Sequence, residues 1–312
     1  MRILVTGASG FLGRAILRAG ADAGHTMVAA SRNGEAVDGA SEALATGDLV
    51  ESAASLDLSG VDAVINCAAR VHVLKREDAA RAKAQYDAMN AAMPVGLARN
   101  AQAAGVRRFI QISSVAAIAS ASAAGEVLDD ASLSAPTTPY GQSKLAADLA
   151  LAKLAQDGFA VISLRPPAIY GPGVGAWFAM LARAAKAGMP LPVGAIRNLR
   201  SFAYVENVAN AAVTAAAASE ELLQSGSFIV SDSLPISTAQ LYSKLLAIAG
   251  HRDRVWRWPE ALIRPAARLV LGSRAQSLLG NAAFDGSRFA QAFDWQPRWN
   301  MDDALRLTLQ GD

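Results

Sequence analysis

The sequence predicts an α/β fold, a doubly wound parallel sheet with a smaller C-terminal lobe. Three observations carry this. Short apolar and β-branched runs alternate with stretches of helical periodicity, the pattern that builds parallel sheets. A glycine-rich turn, Gly7-Ala8-Ser9-Gly10-Phe11-Leu12-Gly13, joins the first such run to the first helical stretch. And 312 residues, 52% of them hydrophobic, suffice for one large domain with an appended lobe, or for two domains.

The first strand is Arg2 to Thr6, and the first helix follows Gly13. Strand, glycine turn and helix together are the context of a dinucleotide site. Gly7 suits the tight turn, Gly10 a close approach of backbone to pyrophosphate, and Gly13 close helix–strand packing. The helix N-terminus supplies free N–H groups and the positive end of the dipole. Thr26 to Ala30 is a second strand, ending at Ser31-Arg32-Asn33. An acid at this place in such a fold accepts from the adenosine ribose, whereas a basic residue accommodates a 2′-phosphate. Arg32 stands there without an acid. It favours NADP(H), against the alternative of a solvated arginine stacked on adenine.

Leu44 to Leu49 reads as a third strand with its exit, and Val61 to Ala69 as a fourth running into small residues that leave room for a ligand. Cys67, the one cysteine, has no paired base and reads as a small buried hydrophobe. Tyr86 to Ala104 is helical in pattern despite Pro94. Arg107 to Ser114 is a fifth strand ending in two hydroxyls. Pro139 starts a helix that runs to about Gln156. Phe159 to Arg165 is a sixth strand, followed by a turn-rich crossing at Ile169 to Gly173. The composition changes most here. Residues 1–165, joined by about 202–231, are expected to form the dinucleotide-binding part, with 166–201 and 232–312 as the smaller lobe.

Trp177 to Ala187 is helical, an Ala-rich helix follows Glu206-Asn207, and Ser227 to Ser231 is a seventh strand. Ser237 or Thr238 caps the helix that ends near Ala249. Pro259 to Leu279 is amphipathic, with arginines at 264, 268 and 274 that read as a solvated helix face. A last short helix closes the chain.

The formal charge of +2, without a long basic run, points to neither nucleic acid nor an anionic membrane as partner. One cysteine, no signal peptide and no apolar stretch of spanning length suggest a cytoplasmic protein without a membrane span. The three histidines, at 25, 72 and 251, do not cluster, so no metal site is expected. His72 reads as a loop or surface residue.

Tyr140 and Lys144 are spaced i,i+4 at a helix start and share one face. A nearby ammonium stabilises a phenolate and lowers the phenol's pKa, fitting it for proton transfer. Lys144 also suits a hold on the nicotinamide ribose. Ser114, at the end of the neighbouring strand, suits a hydrogen bond to the same substrate oxygen.

With these pieces in place the chain closely resembles the extended short-chain dehydrogenase/reductase family over essentially its whole length. The matching residues are Thr6-Gly7-x-x-Gly10-x-x-Gly13, Asp48-Leu49, Asn66-x-Ala68-Ala69, Asn90, Ser113-Ser114, Tyr140-x-x-x-Lys144, Arg165-Pro166-Pro167, Tyr170 to Gly173 and Trp295-x-Pro297. Arg200 to Val205 with Asn207, and Asn66 to Val73, look most like the branch of UDP-hexose 4-epimerases and UDP-sugar 4-ketoreductases. The resemblance implies a Rossmann fold, NAD or NADP as cofactor, and a homodimer formed through the helices of Asn90 and Tyr140. It implies that Phe11 and Leu12 line the pyrophosphate turn and that Asp48 and Leu49 contact adenine. Cys67, Ala68 and Ala69 would face the cofactor, with Asn90 and Pro167 close by. Ser114, Tyr140 and Lys144 would be the catalytic set, and Arg200 would clamp the diphosphate of a UDP-sugar, a role suited to its fork of donors.

Two departures narrow the reading. Relatives that eliminate water carry an acidic pair after the Ser/Thr, whereas Val115 and Ala116 follow Ser114, so dehydration is disfavoured. Many relatives carry a substrate-contacting asparagine where Ala168 stands. The expected activity is hydride transfer at C4 of a UDP-hexose, as a UDP-glucose or UDP-N-acetylglucosamine 4-epimerase. The alternatives are an NADPH-dependent UDP-4-keto-6-deoxyhexose reductase and a non-catalytic NADP(H)-binding regulator.

Overall fold

A computed structural model describes residues 1–71, 78–232, 234–272 and 274–311. His72 falls outside them. Seven strands form one parallel sheet: β1 (Arg2–Thr6), β2 (Thr26–Ser31), β3 (Glu42–Ala45), β4 (Ala63–Asn66), β5 (Arg108–Ile112), β6 (Ala160–Arg165) and β9 (Gly226–Ile229), in the order β3-β2-β1-β4-β5-β6-β9. The chain runs outward from β1 to β3 and then crosses back to β4 on the other side of β1. This reversal opens a crevice beyond the C-terminal ends of β1 and β4, the place where such sheets bind ligands.

Alternate strand residues enter different cores because side chains point to opposite faces. Ile3, Val5, Ile65, Ile110 and Ile162 share one apolar cluster with the helices α1 (Phe11–Asp22) and α7 (Val205–Ala217). Leu4, Val64, Phe109 and Val161 share the other with α4 (Met93–Ala103) and α5 (Pro139–Ala152). Burial on both faces explains why these strands read as continuous apolar runs.

The smaller lobe holds two short parallel strands, β7 (Ala168–Tyr170) and β8 (Phe202–Tyr204), with α6 (Ala176–Lys186), α8 (Thr238–Ile248), α9 (Glu260–Leu271) and α10 (Arg274–Leu279). Tyr170, Phe178, Phe202 and Tyr204 pack as an aromatic cluster, with Tyr170 stacked on Phe178 at 5.1 Å. The chain closes with α11 (Ser287–Ala292), whose Phe289 packs on Phe228 of β9, and α12 (Met301–Gln310).

The structure corrects several boundaries. The third strand is 42–45. Asp48 is not its exit but the cap of a short helix, α2 (Leu49–Ser52), accepting from the Val50 N–H at 2.9 Å. The turn-rich crossing contains β7. The long amphipathic stretch breaks at Gly272, which takes φ +57° and separates α9 from α10. The helix after Pro139 ends at Ala152. The helical run that starts with α3 (Ala79–Tyr86) and ends with α4 is not uniform, because Asp87–Ala92 forms a π-helical turn just before Pro94. A proline lacks the N–H that the preceding turn needs and crowds its carbonyls, and a π turn relieves both.

Candidate active site

The crevice between β1 and β4 is a cavity of about 440 Å³. Its first wall is the glycine turn. Gly7 takes φ +65°, and a Cβ there would lie 2.8 Å from the Ala68 nitrogen. A Cβ on Gly13 would fall 2.2 Å from the Gly7 carbonyl oxygen, so α1 can start this close to β1 only with glycine. Gly10 precedes α1 and offers no side-chain cap to the first-turn N–H groups, and Phe11 and Leu12 of that turn line the cavity. This cradle, which side chains would fill, fits a pyrophosphate.

The opposite wall comes from β4 and β5. Cys67 and Ala69 line the cavity, while Ala68 is buried behind them, its N–H 3.5 Å from Thr6 Oγ1. Below them a buried ladder joins the strand ends: Thr6 donates to Asn66, Asn66 to Gln111 Oε1 at 2.8 Å, and Gln111 to the Ile112 carbonyl at 3.1 Å. Burial pushes the Cys67 thiol up to about 12, which leaves it an inert small hydrophobe.

Ser114, Tyr140 and Lys144 meet at the floor. Thr138 caps α5 by accepting from the Gly141 N–H at 3.1 Å, and Pro139 fits the first turn. A Cβ on Gly141 would lie 2.3 Å from the Ala116 carbonyl. The helix start therefore packs tightly on the turn after Ser114, and Tyr140 hydrogen-bonds Ser114. Lys144 is 1% exposed and donates to the Ile112 carbonyl at 2.8 Å. Burial holds its ammonium down at about 8, opposed by the charge of Asp148.

The phenol differs from the expectation that Lys144 lowers it. Burial raises the Tyr140 pKa, and Tyr86 and Asp148 add to the rise, while the Ser114 hydrogen bond opposes it. The Lys144 ammonium points to the sheet and cannot outweigh desolvation of the phenolate.

Asp148 is absent from the sequence reading, and Arg165 enters it only as a strand end and within the Arg165-Pro166-Pro167 match. Asp148 lies four residues after Lys144 on the same helix face. It is buried and accepts from Ser113 Oγ at 2.9 Å and from Arg165 Nε at 2.8 Å. The i,i+4 series 140, 144, 148 was the available signal.

The other expected site residues stand around this centre. Pro167 lines the cavity beside Pro166 and Ile169. Asn90 does not. It is buried at the π turn, accepts from the Arg70 N–H at 2.8 Å and donates to the Arg70 carbonyl at 2.9 Å and to Ser143 Oγ at 3.2 Å. It pins the loop after β4 to α5. Ser31 accepts from the Glu35 N–H at 3.1 Å, and Arg32 is exposed; both stand at the end of β2 rather than in the cavity. Asp48 caps α2, and Leu49 is buried with the second apolar cluster, so neither lines the cavity. Arg200 also lies outside its lining. It donates to the Gly280 carbonyl at 3.0 Å, sits 5.8 Å from the Trp177 ring centre, and has a buried Nε without a hydrogen-bond partner among the described residues. Burial lowers its pKa to about 10.

A family model described as the NAD dependent epimerase/dehydratase family matches residues 3–231. The chain is 33% identical over 260 residues to a UDP-glucose 4-epimerase of Vibrio cholerae, covering 82% of this chain and 78% of that protein. It is 31% identical over 267 residues to a 2-alkyl-3-oxoalkanoate reductase of Stenotrophomonas maltophilia, covering 80% and 76%. Among solved structures, MoeE5 in complex with UDP-glucose and NAD matches with a TM-score of 0.75 and 24% identity, over 100% of this chain and 98% of that one.

Proposed function

The chain belongs to the NAD dependent epimerase/dehydratase family and is an enzyme, and from that premise we propose that it is a nucleotide-sugar 4-epimerase. The observation that carries the reading is the meeting of Ser114, Tyr140 and Lys144 in one cavity with the Gly7–Gly13 cradle. The similarity to the Vibrio cholerae UDP-glucose 4-epimerase supports a UDP-hexose of the glucose or N-acetylglucosamine type.

In this reading Gly7, Gly10 and the first turn of α1 hold the pyrophosphate of NAD or NADP, and Lys144 with Pro167 borders its nicotinamide end. A bound nicotinamide would supply the acceptor and donor for the C4 hydride. Tyr140 moves the proton of the C4 hydroxyl: it accepts the proton as the C4–H bond breaks and gives it back to the 4-keto oxygen when that bond re-forms. Ser114 donates to the same oxygen and keeps the phenol aligned. For epimerisation the 4-keto sugar turns over before the hydride returns to its other face. Val115 and Ala116, the residues after Ser114, supply no acid for eliminating water.

Arg32 favours a second reading. Exposed at the end of β2 with no carboxylate in Ser31-Arg32-Asn33, it suits a 2′-phosphate and hence an NADPH-dependent UDP-4-keto-6-deoxyhexose reductase. A purely regulatory NADP(H)-binding role would not need Ser114, Tyr140 and Lys144 together. The test offers UDP-glucose and UDP-N-acetylglucosamine without added coenzyme and follows the C4 epimer by NMR. Interconversion supports the epimerase. No interconversion, with one NADPH consumed per UDP-4-keto-6-deoxyhexose, replaces it with the reductase. Neither reaction rejects both.

A further inference from the structure

We propose that α9 and the segment leading into it dock the protein on the surface of an anionic phospholipid bilayer. The apolar face of α9 is only half used. Ile263 and Ala267 join the apolar cluster that also holds Phe178 and Leu181 of α6. Leu262, Leu269 and Val270 stay outside it, exposed at 61%, 88% and 80%. Just before the helix, Trp256 and Trp258 are each 51% exposed. These are not scattered residues: Trp258, Leu262 and Val270, together with exposed Met189, border one groove of about 630 Å³ between α6 and α9, in which Arg183 is the one charged lining residue among the described residues. An apolar surface of this continuity marks a contact with something apolar.

The charges say what that is. Residues 250–272 carry five arginines and two carboxylates, a net charge of +3, against +2 for the whole chain. The remainder of the protein is therefore slightly negative, and the small overall charge conceals a basic segment. One carboxylate, Glu260, is bound to Arg264 at 2.5 Å on the polar face of α9. Arg252, Arg257 and Arg268 are exposed. An apolar stripe flanked by arginines, with tryptophans at its edge, is the composition of a helix lying in a headgroup layer: leucines enter the acyl boundary, indoles sit at the interface, and guanidiniums meet phosphates. A helix of 12 residues is about 18 Å long at 1.5 Å per residue, too short to span the hydrocarbon core. No described helix is long and apolar enough to cross a membrane. The helix therefore lies in the plane of the surface. This inference is independent of the active-site reading, because none of these residues lines the cavity at Tyr140.

The test is flotation of the full-length protein with vesicles of phosphatidylglycerol and phosphatidylcholine, and with phosphatidylcholine vesicles alone. The protein is expected to float with the anionic vesicles, to show a blue shift of tryptophan emission, and to be released by salt. Leu269→Glu with Val270→Glu is expected to lower the bound fraction by at least about ten-fold with the melting temperature unchanged, since both side chains are exposed. Arg257→Glu with Arg268→Glu should abolish the preference for anionic lipid. Failure to float with anionic vesicles overturns the proposal, as does equal flotation of the Leu269/Val270 variant or equal binding to neutral vesicles. A dimer that this variant splits, with no vesicle binding by the parent protein, also overturns it and makes the face a contact between copies.

Discussion

Lys144 follows Tyr140 by one helical turn on α5, yet its ammonium faces the sheet, 2.8 Å from the Ile112 carbonyl and 5.9 Å from the centre of the Tyr140 ring. The buried ammonium is held down at about 8 from an ordinary 10.5. Between those values the unfolded chain keeps a proton that the folded chain has released. Stability therefore rises with pH across this window, and the penalty is fully present below about 8. In the protein without cofactor, the melting temperature relative to Lys144→Met should rise from pH 8 to pH 10. Parallel curves for the two proteins would show that the amine is not desolvated.

Tyr140→Phe should remove turnover and spare the fold. The ring packs edge-on against Tyr86 at 6.1 Å, a contact that phenylalanine keeps. General acid–base catalysis contributes roughly 10²–10⁴-fold, and kcat should fall by that order. Cofactor titration should be nearly unchanged. A fully active phenylalanine variant would remove Tyr140 from the proton path.

Gly13→Ala tests the cradle. Its Cβ would lie 2.2 Å from the Gly7 carbonyl, a backbone atom that no rotamer change can move. The helix must shift outward, at a cost of about 1–3 kcal/mol in stability, and the cavity wall shifts with it. Cofactor affinity should fall further than for Gly10→Ala, whose Cβ meets the same oxygen at 3.1 Å. Unaltered affinity in the Gly13 variant would mean that the cofactor does not lean on this turn.

The sheet was legible because its central strands are buried on both faces, which forces continuous apolar runs such as Ile3-Leu4-Val5 and Val64-Ile65. The meeting of Ser114, Tyr140 and Lys144 was also readable, since strand ends and helix starts on one side of such a sheet converge. What escaped depends on distance in sequence or on depth. The three residues of β7 pair with β8 more than thirty positions away and leave no local periodicity. Spacing shows that Lys144 shares a face with Tyr140 but not that it is buried, and burial reverses the expected effect on the phenol. Two misses had signals. Asp48 with Glu51 three positions later is the pattern of a helix start, and Gly272 inside an amphipathic stretch marks a break.

Arg32→Asp should change cofactor choice. The side chain is exposed at the end of β2, so the change should leave stability within about 0.5 kcal/mol. The new carboxylate repels a 2′-phosphate and accepts from a 2′-hydroxyl. Binding measured for both coenzymes should move away from NADPH and toward NADH. An unchanged ratio would show that Arg32 does not discriminate.

Arg200 joins a structural duty to an unmet one. One guanidinium N–H donates to the Gly280 carbonyl, while the buried Nε has no partner among the described residues. A buried donor left unmade is costly, and burial alone pulls this arginine down to about 10. A diphosphate would satisfy the donor and offset the desolvation of the charged guanidinium. Arg200→Ala should therefore weaken nucleotide-sugar binding by about 1.5–3 kcal/mol, the range for a hydrogen bond to a charged group, and leave cofactor binding nearly intact. Arg200→Lys keeps a charge but loses the planar fork, and should recover only part of the affinity. Calorimetry with both ligands decides the matter. Equal losses for sugar nucleotide and cofactor would assign Arg200 to the frame around Gly280, and full recovery in the lysine variant would show that charge alone, not the fork, holds the diphosphate.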